Sequence, residues 1–175
     1  MNLFHLLNAR HAAGQPVRVA LIGAGKFGSM FLSQVPHTPG LDVPVIVDLD
    51  PERAREACRT VGWDTERIAA TRFTTDAAQA VADPIEVVVE ATGNPAVGIR
   101  HARAAIAAGK HIVMVNVEAD VLAGPLIAEE ARRAGVVYSL AYGDQPALTA
   151  ELVDWARATG FRVVAAGKGT KYLPA

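Results

Sequence analysis

The sequence predicts an α/β protein built on a doubly wound parallel sheet. Short β-branched runs alternate with helical pattern along the chain, and those runs are too continuously apolar to be half-exposed strands. A glycine-rich turn joins the first run to the first helix. Alternation of this kind covers both faces of a parallel sheet through right-handed crossovers.

The strands are expected at Val17–Ile22, Val43–Val47, Glu86–Ala91, His111–Val115, Val136–Leu140 and Phe161–Ala166, with Ala70–Thr74 a weaker candidate. Between them the apolar residues recur at helical spacing. Phe27 to Gln34 follows the glycine turn; Ile99, Ala102 and Ile106 stripe a helix closed by Gly109. Leu122, Leu126, Ile127 and Ala131 stripe another, ended by Gly135; Leu148, Leu152 and Trp155 a third, stopped at Gly160. Asp120 and Asp144 stand where N-caps belong, and Asp50 before Pro51 is a third cap with proline at the first helical position. The opening residues 1–16 read as a short amphipathic helix that packs Leu3, Leu6 and Leu7 onto the domain or a partner subunit.

Bulk properties bound the function. The 175 residues suit one domain with a sizeable core. With 51% hydrophobic and 20% charged residues and a net charge of -1, nothing attracts nucleic acid or an acidic membrane. The single cysteine, Cys58, excludes an internal disulfide and reads as a small buried hydrophobe on a helix. With no basic leader ahead of the first apolar residues, and no run near the ~20 apolar residues of a membrane span, a cytoplasmic location is expected.

The turn Gly23-Ala24-Gly25-Lys26-Phe27-Gly28 carries the chemistry. It follows a strand and opens a helix, the context in which GxGxxG binds a dinucleotide. Gly23 permits the tight turn, Gly25 the approach of a pyrophosphate, and Gly28 close packing of helix on strand. Lys26 and Phe27 start the helix whose free N–H groups meet the phosphates. Asp48 closes the second strand, about 20 residues past Gly28, where an acid accepts hydrogen bonds from the adenosine ribose. A carboxylate there repels a 2′-phosphate and favours NAD. Arg53 on the next helix would pair with such a phosphate, which leaves NADP open.

The turn, Val88-Val89-Glu90-Ala91-Thr92-Gly93 and Gly109-Lys110-His111-Ile112-Val113-Met114-Val115-Asn116 together resemble the nucleotide-binding half of homoserine dehydrogenases. Phe31-Leu32-Ser33-Gln34-Val35-Pro36 and Asn116-Val117-Glu118-Ala119-Asp120-Val121 bring the chain nearer to the homoserine-dehydrogenase-like oxidoreductases that carry a SAF domain. That group includes a deoxyxylulose-phosphate-reductoisomerase-like enzyme. The resemblance implies a Rossmann-type domain and hydride transfer between a nicotinamide and a small hydroxy or keto substrate. It departs at Val117, where homoserine dehydrogenases place a lysine that serves the substrate, so homoserine itself is not the expected substrate. In Ala165-Ala166-Gly167-Lys168-Gly169-Thr170-Lys171-Tyr172, Lys168 replaces the family's asparagine and Lys171 is added; both suit an anionic substrate or solvated charge.

The family's catalytic domain begins about where Ala175 ends. The expected organisation is therefore a helical segment at 1–16, the NAD(P)-binding domain at 17–165 and the start of a substrate domain at 166–175. Such a chain holds cofactor without turning over substrate, and its complete form is expected to be a homo-oligomer.

Ligands bind beyond the carboxyl ends of the strands. There Thr92, Gly93 and Asn94 line the nicotinamide ribose, Asn116 follows the fifth strand, and Glu118 orients substrate or shuttles a proton. Glu118 serves equally as a helix-entry carboxylate. Glu90 is expected to be structural or to contact ribose; His37 is expected at the surface of its loop, and His101 and His111 are expected to be structural. No residue spacing suggests a metal set. A contrasting function, a non-catalytic module reporting NAD(H) to a partner, fits the same fold.

Overall fold

The computed structural model describes residues 2–82, 84–143 and 145–167. The chain forms two compact units, Met1–Tyr138 and Ser139–Ala175. In the first, α1 (Leu3–Ala12) precedes β1 (Val17–Ile22), α2 (Lys26–Gln34), β2 (Leu41–Val47), α3 (Pro51–Thr60), α4 (Thr65–Ala70) and β3 (Arg72–Thr74). Then come β4 (Val87–Glu90), α5 (Pro95–Ala107), β5 (His111–Met114) and α6 (Val117–Ala134); β6 (Tyr138–Leu140) begins at the unit's last residue. The strands form one six-stranded sheet in the order β3-β2-β1-β4-β5-β6. The pairings of β1 with β2, β1 with β4, β2 with β3 and β4 with β5 are all parallel. This is the Rossmann-type order, and it reverses between β1 and β4, which opens a crevice above those two strands.

Strand residues buried on both faces explain the continuous apolar runs. Leu21, Ile46, Val88 and Ile112 are completely buried. Leu32 from α2 and Ala54 and Cys58 from α3 cover one face, with Trp63 donating its Nε1–H to the Leu32 carbonyl at 2.8 Å. Burial pushes the Cys58 thiol up to about 11, against a small opposing pull from Arg55, so it packs as a hydrophobe and not as a thiolate. Leu32→Ala would cost about 2–5 kcal/mol by the usual cavity penalty.

Helix ends follow from short polar side chains. Asp50 caps α3 by accepting the Arg53 N–H at 3.0 Å, with Pro51 at the first position, as expected. Asp120 does not cap α6. Asn116 does, accepting the Ala119 N–H at 3.2 Å, so the helix starts before Asp120, which instead accepts the Tyr138 hydroxyl at 2.7 Å. Asp144 lies outside the described residues. α1 does not pack all three of its leucines onto the domain: Leu3 and Leu6 are exposed at 68% and 54%, and only Leu7 is part-covered, against Gly40. What fastens α1 is Arg10, which grips both carboxylate oxygens of Glu86 at 2.8 and 2.9 Å.

In the second unit α7 (Gln145–Ala158) carries the predicted stripe, with Leu152 and Trp155 exposed, and the Tyr142 hydroxyl donates to Glu151. Residues 161–167 are not a strand. Their β-branched composition supplies propensity, but a strand also needs a ladder, and no described segment pairs with them. No helix among the described residues is long and apolar enough to cross a membrane.

Candidate functional site

The three glycines of the turn are required for different reasons. Gly23 has φ +96°, and a Cβ there would lie 2.7 Å from the Ala91 carbonyl oxygen. A Cβ on Gly28 would lie 2.3 Å from the carbonyl oxygen of Gly23, so α2 seats directly on the turn. Gly25 has an ordinary φ of -69°, and a Cβ there would meet nothing within 4 Å. The fold needs Gly23 and Gly28 bare. It does not need Gly25 bare. Gly25 is also the N-cap of α2 and offers no side chain to the N–H groups of its first turn.

Asp48 locks that turn from the side. It follows β2, is 8% exposed, and its Oδ2 accepts the Ala24 N–H at 2.7 Å. Its Oδ1 accepts the Asp50 N–H at 3.0 Å, with the Arg53 guanidinium at 3.5 Å. The Arg53 side chain is mostly exposed. Three donors on one carboxylate, two of them backbone, make Asp48 a fixed negative charge at the end of the second strand.

These groups border a cleft of about 320 Å³ above the switch between β1 and β4. Of the residues expected to hold a cofactor, Gly23, Gly25, Asp48, Arg53, Thr92 and Asn94 line it, together with Leu49, Thr75, Val97 and His101. Lys26, Phe27 and Gly28 occupy the first turn of α2 beside it. Gly93 is exposed in the turn before α5, where Asn94 caps the helix through the Val97 N–H at 3.1 Å. Asn116 is only 3% exposed and turned under α5, away from the cleft lining, because its oxygen is committed to the α6 cap. Glu118 is exposed in the first turn of α6 and does not line the cleft either. Lys168 and Lys171 lie outside the described residues. A larger cavity of about 580 Å³ borders Pro16, Leu41 and Asp42, at the amino ends of β1 and β2, the wrong end of a parallel sheet for a ligand site.

Sequence reasoning missed one cluster. Glu90, the last residue of β4, is completely buried. Its Oε1 accepts the Thr92 hydroxyl at 2.5 Å and the Thr92 N–H at 3.3 Å, and stands 3.3 Å from His101 Nδ1. Among the described residues its Oε2 has no partner, and neither has the Asn116 Nδ2. An acid at the end of an apolar strand, followed by Gly98 and His101 on one face of α5, was the signal available.

The chain belongs to the oxidoreductase family with an NAD-binding Rossmann fold (GFO_IDH_MocA), which it matches over residues 17–118. Residues 143–175 match the catalytic domain of the oxidoreductase DRL. Among solved structures it is similar to a homoserine dehydrogenase from Thiobacillus denitrificans, with TM-score 0.62 and 24% identity over 71% of this chain and 29% of that one. It is also similar to an NAD binding oxidoreductase from Klebsiella pneumoniae, with TM-score 0.57 and 25% identity over 83% and 39% of the two chains. A levoglucosan dehydrogenase in complex with NADH matches with TM-score 0.57 and 28% identity over 72% and 34%. The chain thus spans well under half the length of these proteins. No curated protein matches it. It is an NAD(P)-binding domain of this oxidoreductase family.

Proposed function

We propose that the cleft holds NAD or NADP, with NAD preferred, for a dehydrogenase of the homoserine-dehydrogenase-like, DRL-type group. The observation that carries the reading is Gly25, a glycine the fold does not need, at the N-terminus of α2 and on the lining of the cleft. A side chain there would fill the space in which the first-turn N–H groups of α2 meet a pyrophosphate. Asp48 supports the preference for NAD. Its Oδ2 is committed to Ala24, so Oδ1 is the oxygen left to receive a ribose hydroxyl, and its charge opposes a 2′-phosphate. Arg53, mostly exposed, is the group that would accommodate NADP.

When bound, the nicotinamide supplies a site that accepts or donates hydride. The protein's part is to hold the two ends of the dinucleotide, Asp48 at one and Thr92 with Asn94 at the other, across the glycine turn. Glu118, Lys168 and Lys171 are proposed to serve the substrate: the lysines hold an anionic group and the carboxylate orients a hydroxyl or moves its proton. The match of residues 143–175 to the DRL catalytic domain supports a substrate region starting there. Val117 in place of the homoserine dehydrogenases' lysine argues against homoserine.

The test is NAD(P)H oxidation measured side by side for this chain and for a version extended by a DRL-type catalytic domain, with the same hydroxy- and keto-acid and sugar-phosphate substrates. This chain is expected to bind cofactor without turnover, since hydride transfer needs substrate held within ~3–3.5 Å in an oriented pocket. Robust turnover by this chain alone would contradict the division of labour.

A further inference from the structure

Glu90 is a buried acid that the cofactor cradle described so far does not use. A completely buried carboxylate is costly without hydrogen-bond donors, and those Glu90 has all fall on one oxygen. That oxygen, Oε1, accepts the Thr92 N–H, so it presents a lone pair, and His101 Nδ1 stands 3.3 Å from it. A ring nitrogen facing an acceptor carries the proton. In the neutral imidazole the other nitrogen, Nε2, is then an acceptor. The ring is 16% exposed, and the residue lines the cleft beside Thr92 and Asn94, so the edge turned away from Glu90 is the edge available to a ligand.

The environment behind Glu90 is built to keep it there. A Cβ on Gly98 would lie 3.0 Å from Glu90 Oε2 and 2.9 Å from Asn116 Nδ2, so the bare glycine lets both polar groups lie against α5. The Asn116 oxygen is fixed by the Ala119 N–H, which leaves the donor end of the amide on the carboxylate side.

The geometry points to His101 as a cofactor-binding residue whose Nε2 accepts a hydroxyl of the second ribose, the one beyond the pyrophosphate, with Glu90 as the residue that positions it. This rests on the dinucleotide reading above and extends it. An acceptor repels phosphate oxygens and suits a hydroxyl. The cleft runs from Asp48, just after β2, past the glycine turn, to Thr92 and His101 on the β4–α5 side. With the phosphates at the turn and one ribose at Asp48, the hydroxyl that reaches His101 belongs to the other ribose.

Three probes separate the claim from its basis: NAD, ADP-ribose, which keeps the second ribose, and ADP, which lacks it. Calorimetric titration of His101→Phe is expected to show about tenfold weaker NAD and ADP-ribose, the loss of one hydrogen bond, with ADP unchanged. His101→Gln, whose amide reaches the Nε2 position, recovers most of that loss. His101→Asn, which reaches only the Nδ1 position, does not. Glu90→Gln weakens the same two probes by less and leaves ADP alone. Equal weakening of all three probes, no weakening of any, or better recovery by Asn than by Gln would overturn the assignment, the last reducing His101 to a partner for Glu90. If the unmutated chain binds neither NAD nor ADP, the dinucleotide reading itself fails and this assignment falls with it.

Discussion

Asp48 and Glu90 end the cleft-facing sides of β2 and β4, the two strands that flank β1, and they are satisfied in opposite ways. Asp48 spends both oxygens, on the Ala24 N–H, the Asp50 N–H and the Arg53 guanidinium, and so fastens the glycine turn to the sheet. Glu90 crowds Thr92 and His101 onto one oxygen and leaves the other bare beneath Gly98. Acids at the same level of one sheet therefore do different work. The Asp48 side is a brace whose only side-chain partner among the described residues, the Arg53 guanidinium, stands at 3.5 Å on Oδ1. The Glu90 side is a support whose effect reaches the cleft through the groups it holds.

The largest effect should come from the brace itself. Gly28→Ala puts a methyl 2.3 Å from the Gly23 carbonyl oxygen, a backbone atom that cannot rotate away. A loss of at least about 3 kcal/mol in unfolding free energy is expected, read by urea denaturation. A variant as stable as the parent would show that the turn is not clamped to α2. Next, Asp48→Ala should weaken NAD by ~1.5–3 kcal/mol, roughly a factor of ten to a hundred, and narrow the gap to NADP. Titration with both cofactors checks it. Unchanged NAD with weakened NADP would transfer the specificity role to Arg53.

On the Glu90 side, Gly98→Ala should cost ~1–3 kcal/mol in thermal or denaturant unfolding, because the new methyl crowds Asn116 Nδ2, Glu90 Oε2 and the Ala119 methyl together. Neutral behaviour would mean that those two polar groups are free to move aside, and the idea of a built support would weaken. The smallest effect belongs to a third acid, Glu86, at the other end of β4. Burial raises its pKa, but the Arg18 N–H and the Arg10 guanidinium outweigh that and hold it below the ordinary value. A carboxyl with a lowered folded pKa contributes stability above its unfolded pKa, about 4.3, and loses it as pH falls through the folded value. The pair is well exposed, so after solvent screening no more than ~1 kcal/mol is at stake. Following α1 amide resonances from pH 6 to pH 3 should show α1 loosening only at the acid end, and at every pH in Arg10→Ala.

The contrast between the two acids also explains what was legible in the sequence. β1, the glycine turn, Asp48 and the Asp50-Pro51 cap were readable because each is a local pattern: period, spacing and cap chemistry lie within a few consecutive residues. The α6 cap was misread because Asn116 and Asp120 both suit an N-cap, and only the tertiary position of the Tyr138 hydroxyl gives Asp120 a different task. The strand expected at Phe161–Ala166 failed for a related reason: its composition is local, but a strand also needs a ladder, and none of the described segments pairs with it. Glu90, His101 and Asn116 converge from β4, α5 and the entry to α6, so no window of sequence contains them together.

On the reading proposed above, the cleft is a dinucleotide site held by a turn whose middle glycine serves the ligand and not the fold. Gly25→Val tests it most directly, by calorimetric titration with NADH and NADPH alongside a melting curve. Saturable binding is expected for the parent chain, none for the variant, with closely similar melting, since a Cβ at Gly25 meets nothing within 4 Å. Parental affinity in Gly25→Val would contradict it.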